Sequence, residues 1–151
     1  MSIYRVRGAC VNMRVAGGEI MLGLNYSGAV GDLFYSNVVV KQVQKDDGDS
    51  TLFLKMLYDD REFIYFLYKD ILYTQLDEKS VGLKIIMAYE ASPESLNLPN
   101  HKLALARLLA DCGHTNTNFL QSVAKRGYRI LLHIPQQLDT RIVLAKQLLS
   151  V

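Results

Sequence analysis

The chain has 151 residues, of which half are hydrophobic and 21% are charged. This balance excludes a disordered or collagen-like chain and fits one compact domain or two very small ones. The formal net charge of +2 at pH 7 favours no particular partner. The basic excess lies in the second half, because residues 71–151 carry nine Lys or Arg against six Asp or Glu.

The N-terminal stretch does not resemble a secretory signal, because Arg5, Arg7 and Arg14 interrupt any apolar run. No window of the sequence has the length and composition of a membrane span. The two cysteines, Cys10 and Cys112, lie far apart and fit no metal-binding spacing. We therefore expect a cytoplasmic protein with reduced thiols and no membrane partner.

Strand patterns dominate the first half of the chain. Gly17-Gly18 and the polar stretch 45–50 are typical of turns, and Asp59-Asp60 predicts a tight hairpin between its flanking runs. The runs that predict strands are 5–15, 19–27, 32–45, 50–58, 61–68 and 71–77. This half is expected to form a β-rich module over residues 1–74.

Helical spacing of apolar residues begins near Asp77. Residues 77–91 predict an amphipathic helix capped by Asp77 or Ser80, and residues 100–113 predict a second one that begins at Asn100 and stops at Gly113. Residues 119–135 predict a short helix or strand, a turn and a strand, and residues 137–151 predict a final helix. The order of strands followed by helices predicts an α+β fold.

Three cations lie close to a turn glycine near the end of the chain: Lys125 and Arg126 precede Gly127, and Arg129 follows it. The positions that carry a family pattern, in order and without a gap, are Leu120, Ser122, Val123, Arg126, Gly127, Tyr128, Arg129 and Ile130. They resemble the wing of winged-helix transcriptional regulators of the OmpR/PhoB type, and most closely the ToxR/CadC-like DNA-binding domains. The resemblance implies a β-rich N-terminal part followed by a winged-helix-like domain over residues 75–151.

The resemblance also implies a DNA-binding role and assigns candidate contacts. A recognition helix would span Asn100 to Asp111 and contact DNA through His101, Lys102 and Arg107. The wing would hold Lys125, Arg126 and Arg129 near the phosphate backbone, where cations bind and position a protein. The function expected first is therefore a transcription-regulator-like protein that contacts DNA.

A second hypothesis is a protein-binding adaptor or anti-regulator that keeps a degenerate winged helix for protein contacts. Only residues 92–100 separate the two predicted helices, and the second has few polar side chains that could read base edges. The cations near Gly127 are otherwise an exposed, solvated hairpin tip. One continuous basic face would favour DNA, whereas scattered or paired cations would favour the adaptor.

Catalysis and metal binding are not expected from this sequence. His101, His114 and His133 match no ligand spacing, and no acid, base and nucleophile can be assembled. We expect no catalytic residue, no cofactor and no metal. The dense tyrosines of the middle third are expected to pack on a core or a partner, more than to stack on bases. A protein partner or a homodimer would use the β-rich half or the C-terminal helix.

Overall fold

The computed structural model describes residues 11–15, 18–22, 33–97, 99–137 and 139–150, and most of them lie in β-strands. The strands are β1 Val11–Val15, β2 Gly18–Leu22, β3 Leu33–Asp46, β4 Thr51–Tyr58, β5 Glu62–Thr74, β6 Lys84–Ala91, β7 Arg129–Pro135 and β8 Arg141–Ser150. Six of them form a closed antiparallel barrel in the order β3, β4, β5, β8, β7, β6, and β6 pairs with β3. The pair β1 and β2 forms a separate two-stranded sheet.

Two α-helices, α1 (Lys102–Asp111) and α2 (Asn118–Lys125), lie in the connection between β6 and β7. Three short 3-10 helices span Glu78–Ser80, Pro93–Asn97 and Pro99–His101. None of the helices in the described ranges is long and apolar enough to cross a membrane.

The hairpin predicted across Asp59-Asp60 is confirmed. Both aspartates have φ of 55°, and the Arg61 amide donates to the Tyr58 carbonyl at 3.1 Å. Two successive positive φ angles are those of a type I′ turn, whose twist matches that of the flanking strands. The turn fixes the register of β4 against β5, with Met56 opposite Ile64.

The barrel interior is filled by the side chains that alternate inward along the strands. Over residues 52–56 of β4 and 64–68 of β5 every second side chain is buried, as expected from the period of two in a strand. The largest fully buried side chains include Phe34, Leu52, Leu54, Met56, Ile64, Phe66, Tyr68 and Ile85. This alternation leaves the intervening side chains of β4 and β5 on the outer surface.

A second apolar cluster lies between the barrel wall and the helices. Ile130 and Leu132 of β7 face this cluster, whereas Leu131 faces the interior, so β7 is buried on both sides. The helices contribute Ala104, Leu105, Leu108, Leu120 and Val123 to the same cluster. Strands buried on both faces are apolar almost throughout, which explains the uninterrupted run of residues 130–132.

The expectation of an α+β fold with a winged-helix-like second half is wrong. The structure is a closed six-stranded barrel with two short α-helices. The barrel contains three strands up to Thr74 (β3, β4 and β5) and three after it (β6, β7 and β8). The two predicted helices that would have framed the winged helix, over 77–91 and 137–151, are replaced mainly by strands β6 and β8.

A β-bulge explains the error at β6. The register against β7 shifts between Ile85 and Met87, so that Ile85 and Ala88 both face the interior although they are three residues apart. A spacing of three imitates the repeat of a helix. The predicted caps do form: the Asp77 carboxylate accepts from the Lys79 amide at 2.9 Å, and Ser80 Oγ accepts from the Asp77 amide at 3.0 Å. They start a single 3-10 turn.

The same imitation explains the error at β8. Ala145 and Leu148 both face the interior, and the two exposed residues between them again give a spacing of three. β8 pairs with β5 along one edge and with β7 along the other. The C-terminal segment is therefore a barrel strand, and no C-terminal helix exists in the described chain to form a dimer seam.

Two phenylalanines on opposite faces of β5 test the barrel interior. Phe66 is fully buried, whereas Phe63 is 44% exposed. Phe66→Ala should lower the free energy of unfolding by about 3–5 kcal/mol, because it leaves a cavity in the core. Phe63→Ala should lower it by less than about 1 kcal/mol. Urea unfolding of both variants measures the difference, and equal losses would contradict this placement of the interior.

Candidate functional site

The predicted wing does not form, because the segment around Gly127 is a helix, a turn and a barrel strand. Gly127 has φ of 92°, and its amide donates to the Ala124 carbonyl at 3.0 Å. The following strand, β7, is paired on both edges, with β6 and with β8. The turn glycine was therefore predicted correctly, but it opens a central strand and not a projecting hairpin.

Arg129, a predicted wing contact, forms an ion pair between the neighbouring strands β7 and β6. Its Nε and Nη2 atoms both lie 2.7 Å from Glu90 Oε1, and each side chain is 17% exposed. The alternation along β7 places Arg129 on the same side as Leu131 and His133, towards the interior. A partly buried pair that shares two hydrogen bonds joins β6 to β7 and neutralises the Arg129 charge.

His101, a predicted recognition-helix contact, is buried at the start of α1. Its Nδ1 lies 3.0 Å from Thr140 Oγ1, and its Nε2 lies 3.5 Å from the Tyr89 hydroxyl. Burial lowers the pKa of His101, which favours the neutral imidazole. The side chain therefore links the helix start to the segment before β8 and does not reach outward.

The two other residues predicted on this helix, Lys102 and Arg107, are exposed. The buried residues of α1 are Ala104, Leu105 and Leu108. They pack on the barrel wall, with no second helix of a helix-turn-helix beneath them in the described chain. Lys102 and Arg107 are thus presented by a helix that lies on the barrel wall.

Lys125 and Arg126 are exposed at the end of α2, and the structure adds Lys146 beside them. Arg126 Cζ lies 5.4 Å from the centre of the Tyr128 ring, and Lys146 Nζ lies 5.0 Å from it. Cations at a helix C-terminus are favoured by the helix dipole, which accounts for Lys125 and Arg126 without a ligand. Within the described ranges no ion pair joins Lys125, Arg126 or Lys146 to a carboxylate.

The outward side chains of β4 and β5 form a mostly apolar surface. The β4–β5 face, as we name it, consists of Phe53, Lys55, Leu57, Phe63, Tyr65 and Leu67. The cross-strand pairs are Phe53 with Leu67, Lys55 with Tyr65, and Leu57 with Phe63. Phe63 is 44% exposed and the others are partly buried. Neither described α-helix packs across this face, because α1 and α2 cover the wall around β7.

Diagonal contacts order the β4–β5 face. The Phe53 and Tyr65 rings stack with centroids 5.9 Å apart and planes 20° apart. Lys55 Nζ lies 4.3 Å from the centre of the Phe63 ring. Diagonal neighbours of an antiparallel pair are within reach of aromatic and long side chains, and such contacts stabilise the pair. The rings and the ammonium group are therefore held in place before any partner binds.

The sequence predicts that these aromatic residues pack on a core or a partner, but it does not by itself single out Lys55. The signal was present in the hairpin. Once the Asp59-Asp60 turn fixes the register, Lys55 falls opposite Tyr65 and on the same face as Phe53 and Phe63.

A hydrogen-bonded chain of three side chains lies inside the barrel. Tyr35 and Tyr68 hydroxyls are 3.1 Å apart, and the Tyr68 hydroxyl is 2.8 Å from His133 Nε2. His133 Nδ1 lies 3.1 Å from the Arg141 carbonyl, which can only accept. Nδ1 therefore carries the proton, Nε2 accepts from Tyr68, and the Tyr68 oxygen accepts from Tyr35.

Burial sets the protonation of this tyrosine–histidine chain. It lowers the pKa of His133 from 6.5 to about 4, and it raises the pKa values of Tyr35 and Tyr68 above the usual range of tyrosine. All three groups are neutral at pH 7. The chain lies among Phe34, Phe66 and other barrel side chains, and its hydrogen bonds satisfy buried polar atoms.

A polar groove of about 260 Å³ lies at the barrel end near the β4–β5 turn, and Asn37, Asp59, Asp60 and Lys84 line it with three other residues. In the part of the chain that the structure describes, no group of three or more His, Cys, Asp or Glu could hold a metal ion. Cys112 is free, and the structure does not describe Cys10.

No protein-family model, curated protein or solved structure matches this chain.

The central position of Tyr68 in the tyrosine–histidine chain predicts unequal costs for removing the two hydroxyl groups. Tyr68→Phe leaves the Tyr35 donor and the His133 Nε2 acceptor without their shared partner. It should cost about 1–3 kcal/mol of unfolding free energy. Tyr35→Phe removes only the terminal donor and should cost about 1 kcal/mol or less. Chemical denaturation ranks the two variants, and the reverse order would contradict the central position of Tyr68 in the chain.

Stability should fall with acidification because His133 is neutral in the folded protein. The unfolded chain binds a proton at His133 near pH 6.5, whereas the folded chain does so only near pH 4. The unfolded state therefore binds more protons between these values, and unfolding free energy falls as pH falls from 6.5 to 4. The loss is on the order of a few kcal/mol.

Urea midpoints between pH 7 and pH 4 measure this dependence. His101, whose pKa is also lowered, contributes in the same direction, so the comparison is with His133→Gln. That variant should show a smaller dependence of the urea midpoint on pH than the unsubstituted protein. An unchanged slope would show that His133 is not the responsible group.

Proposed function

We propose that this protein is a non-catalytic adaptor that binds another protein through the β4–β5 face. The observation that carries the proposal is an ordered, mostly apolar surface on the barrel wall that no described helix covers. Aromatic side chains are enriched at protein interfaces, and contiguous apolar surface on a folded domain marks a binding site more often than chance exposure. Phe53, Phe63 and Tyr65 supply such side chains.

The distribution of cations supports a protein partner over DNA. Of the six residues expected to contact DNA, Arg129 is paired with Glu90 and His101 is buried. Lys102 and Arg107 lie on α1, whereas Lys125 and Arg126 lie at the end of α2. Paired and divided cations are the pattern expected of an adaptor, because a DNA-binding face needs several cations along one phosphate rail.

The buried polar groups support a non-catalytic role. His133, the histidine inside the barrel, has both ring nitrogens hydrogen-bonded to the protein. Outside the barrel interior, the Tyr73 hydroxyl donates to the exposed Asp111 carboxylate at the end of α1, at 2.7 Å. Groups used in this way hold strands and helices together, and they are not arranged as a nucleophile beside a base in an open cleft.

A second candidate function is contact with a nucleic-acid backbone. The observation that favours it is the approach of Arg126 and Lys146 to the Tyr128 ring, with Lys125 adjacent in sequence. These cations come from two different elements and carry no ion pair in the described chain. Such a group would bind phosphate without reading sequence.

Site-specific photo-crosslinking separates the two functions. A photoreactive phenylalanine analogue at position 63 should yield protein adducts in extracts of the source cells. The same analogue at Leu103, which is 66% exposed on α1, should not. The adducts should disappear when Tyr65→Ala and Phe53→Ala are added. Adducts at neither position, with salt-dependent duplex DNA binding lost in Arg126→Ala/Lys146→Ala, would replace the adaptor by the nucleic-acid function.

A further inference from the structure

Lys55 lies at the centre of the β4–β5 face, and none of the other residues of this face is acidic. Phe53 and Leu57 precede and follow it on the same side of β4, and Tyr65 lies opposite on β5. Its diagonal neighbours on β5 are Phe63 and Leu67, and on the other side β3 places Gln42 opposite it. Among the described residues, no carboxylate forms an ion pair with Lys55.

The Lys55 ammonium group has lost part of its hydration, and the contact that replaces it is weaker than an ion pair with a carboxylate. The Lys55 side chain is half-buried, and its ammonium group lies over the Phe63 ring at 4.3 Å. The ring holds the ammonium in one place but supplies less stabilisation than a carboxylate would. An incoming carboxylate would therefore find a preorganised partner whose ordering entropy is already lost.

The closed barrel restricts how a partner can bind. β4 is paired with β3 and with β5, and β5 is also paired with β8, so neither strand has a free edge for an added strand. A partner must then lie on the side chains. Rows on the face repeat every two residues, about 7 Å apart, and successive contacts of a helix at i and i+4 are about 6 Å apart.

A second copy of this chain fits the face poorly. Symmetric pairing about a two-fold axis at the centre of the face would oppose Lys55 to Lys55. Like charges brought together in a partly buried interface are destabilising. Lys69 on β5 lies two residues beyond Leu67 and adds a further positive charge at the edge of the face. The charges thus favour an acidic partner.

We propose that the β4–β5 face binds an acidic amphipathic helix, with apolar side chains of the helix on Phe53, Phe63 and Leu67 and one of its carboxylates on Lys55. This inference rests on the proposed adaptor function and names the chemistry of its partner. Lys55 is the residue that selects charge, and the aromatic side chains supply the contact area.

The test uses a labelled peptide of about 16 residues, roughly four helical turns, with leucines at helical spacing and glutamates on both sides of the stripe. The matched peptide has glutamine in place of glutamate. Fluorescence anisotropy should show the glutamate peptide binding roughly five- to tenfold more tightly than the glutamine peptide. Lys55→Gln should remove that preference, and Lys102→Gln, which changes an exposed lysine on α1, should keep it.

A charge reversal keeps the test decisive. Lys55→Glu should prefer a peptide with lysine in place of glutamate, and Phe63→Ser should weaken all peptides alike. Circular dichroism verifies that each variant is folded. Equal binding of the glutamate and glutamine peptides, lost in Phe63→Ser, would overturn the acidic partner while leaving the adaptor function intact.

Two further outcomes also decide the matter. If no peptide binds and the protein is a dimer by light scattering that Phe63→Ser makes monomeric, the face is a homodimer interface and the inference is overturned. If no peptide binds and the protein is a monomer, the inference is likewise overturned, and only the crosslinking at position 63 still bears on the adaptor function.

Discussion

The pairing of β8 with β5 is the constraint on which the rest of this structure depends. Tyr68 lies opposite Leu148 in this pairing, and β8 pairs along its other edge with β7. Without it the sheet would be open at two edges and would expose unpaired backbone groups. Closure also seals the interior. Tyr68 and His133 come from strands on either side of β8, so their hydrogen bond is made only when the barrel is complete.

The closed barrel has one outer surface that α1 and α2 cover and another on which neither helix packs. The wall around β7 is covered by α1 and α2, which bury a second apolar cluster against Ile130 and Leu132. The β4–β5 face has aromatic and aliphatic side chains but no described helix upon it. Because a closed barrel has no free strand edge, a partner of the barrel must contact side-chain surfaces, and we propose the β4–β5 face as that surface. Of the basic residues near Gly127, Arg129 pairs with Glu90, and Arg126 lies over the Tyr128 ring.

Local signals in the sequence predicted the local structure well. The Asp59-Asp60 hairpin, the helix stop at Gly113 and the turn at Gly127 all follow from backbone requirements that a few residues determine, and all three are present. The spacing of apolar residues wrongly predicted helices where long-range strand pairing determines the secondary structure. In β6, through a bulge, and in β8, interior residues lie three positions apart, which is the spacing of a helix. Only the pairing with neighbouring strands shows that these segments are strands. The predicted wing around Gly127 does not form because β7 is a central strand, paired on both edges. Lys55 could have been found from the hairpin register, but the absence of α1 and α2 from its face depends on where these helices pack.

The most direct test of barrel closure is the nuclear Overhauser spectrum of residues 141–150. The structure requires cross-strand contacts of Leu148 with Tyr68 and of Leu144 with Ile130. It also requires strong sequential Hα-to-amide contacts along β8. Strong amide-to-amide contacts between successive residues, with Hα contacts three residues on and none to β5, would show a C-terminal helix instead. That result would contradict the closed barrel and, with it, the face on which the proposed function rests.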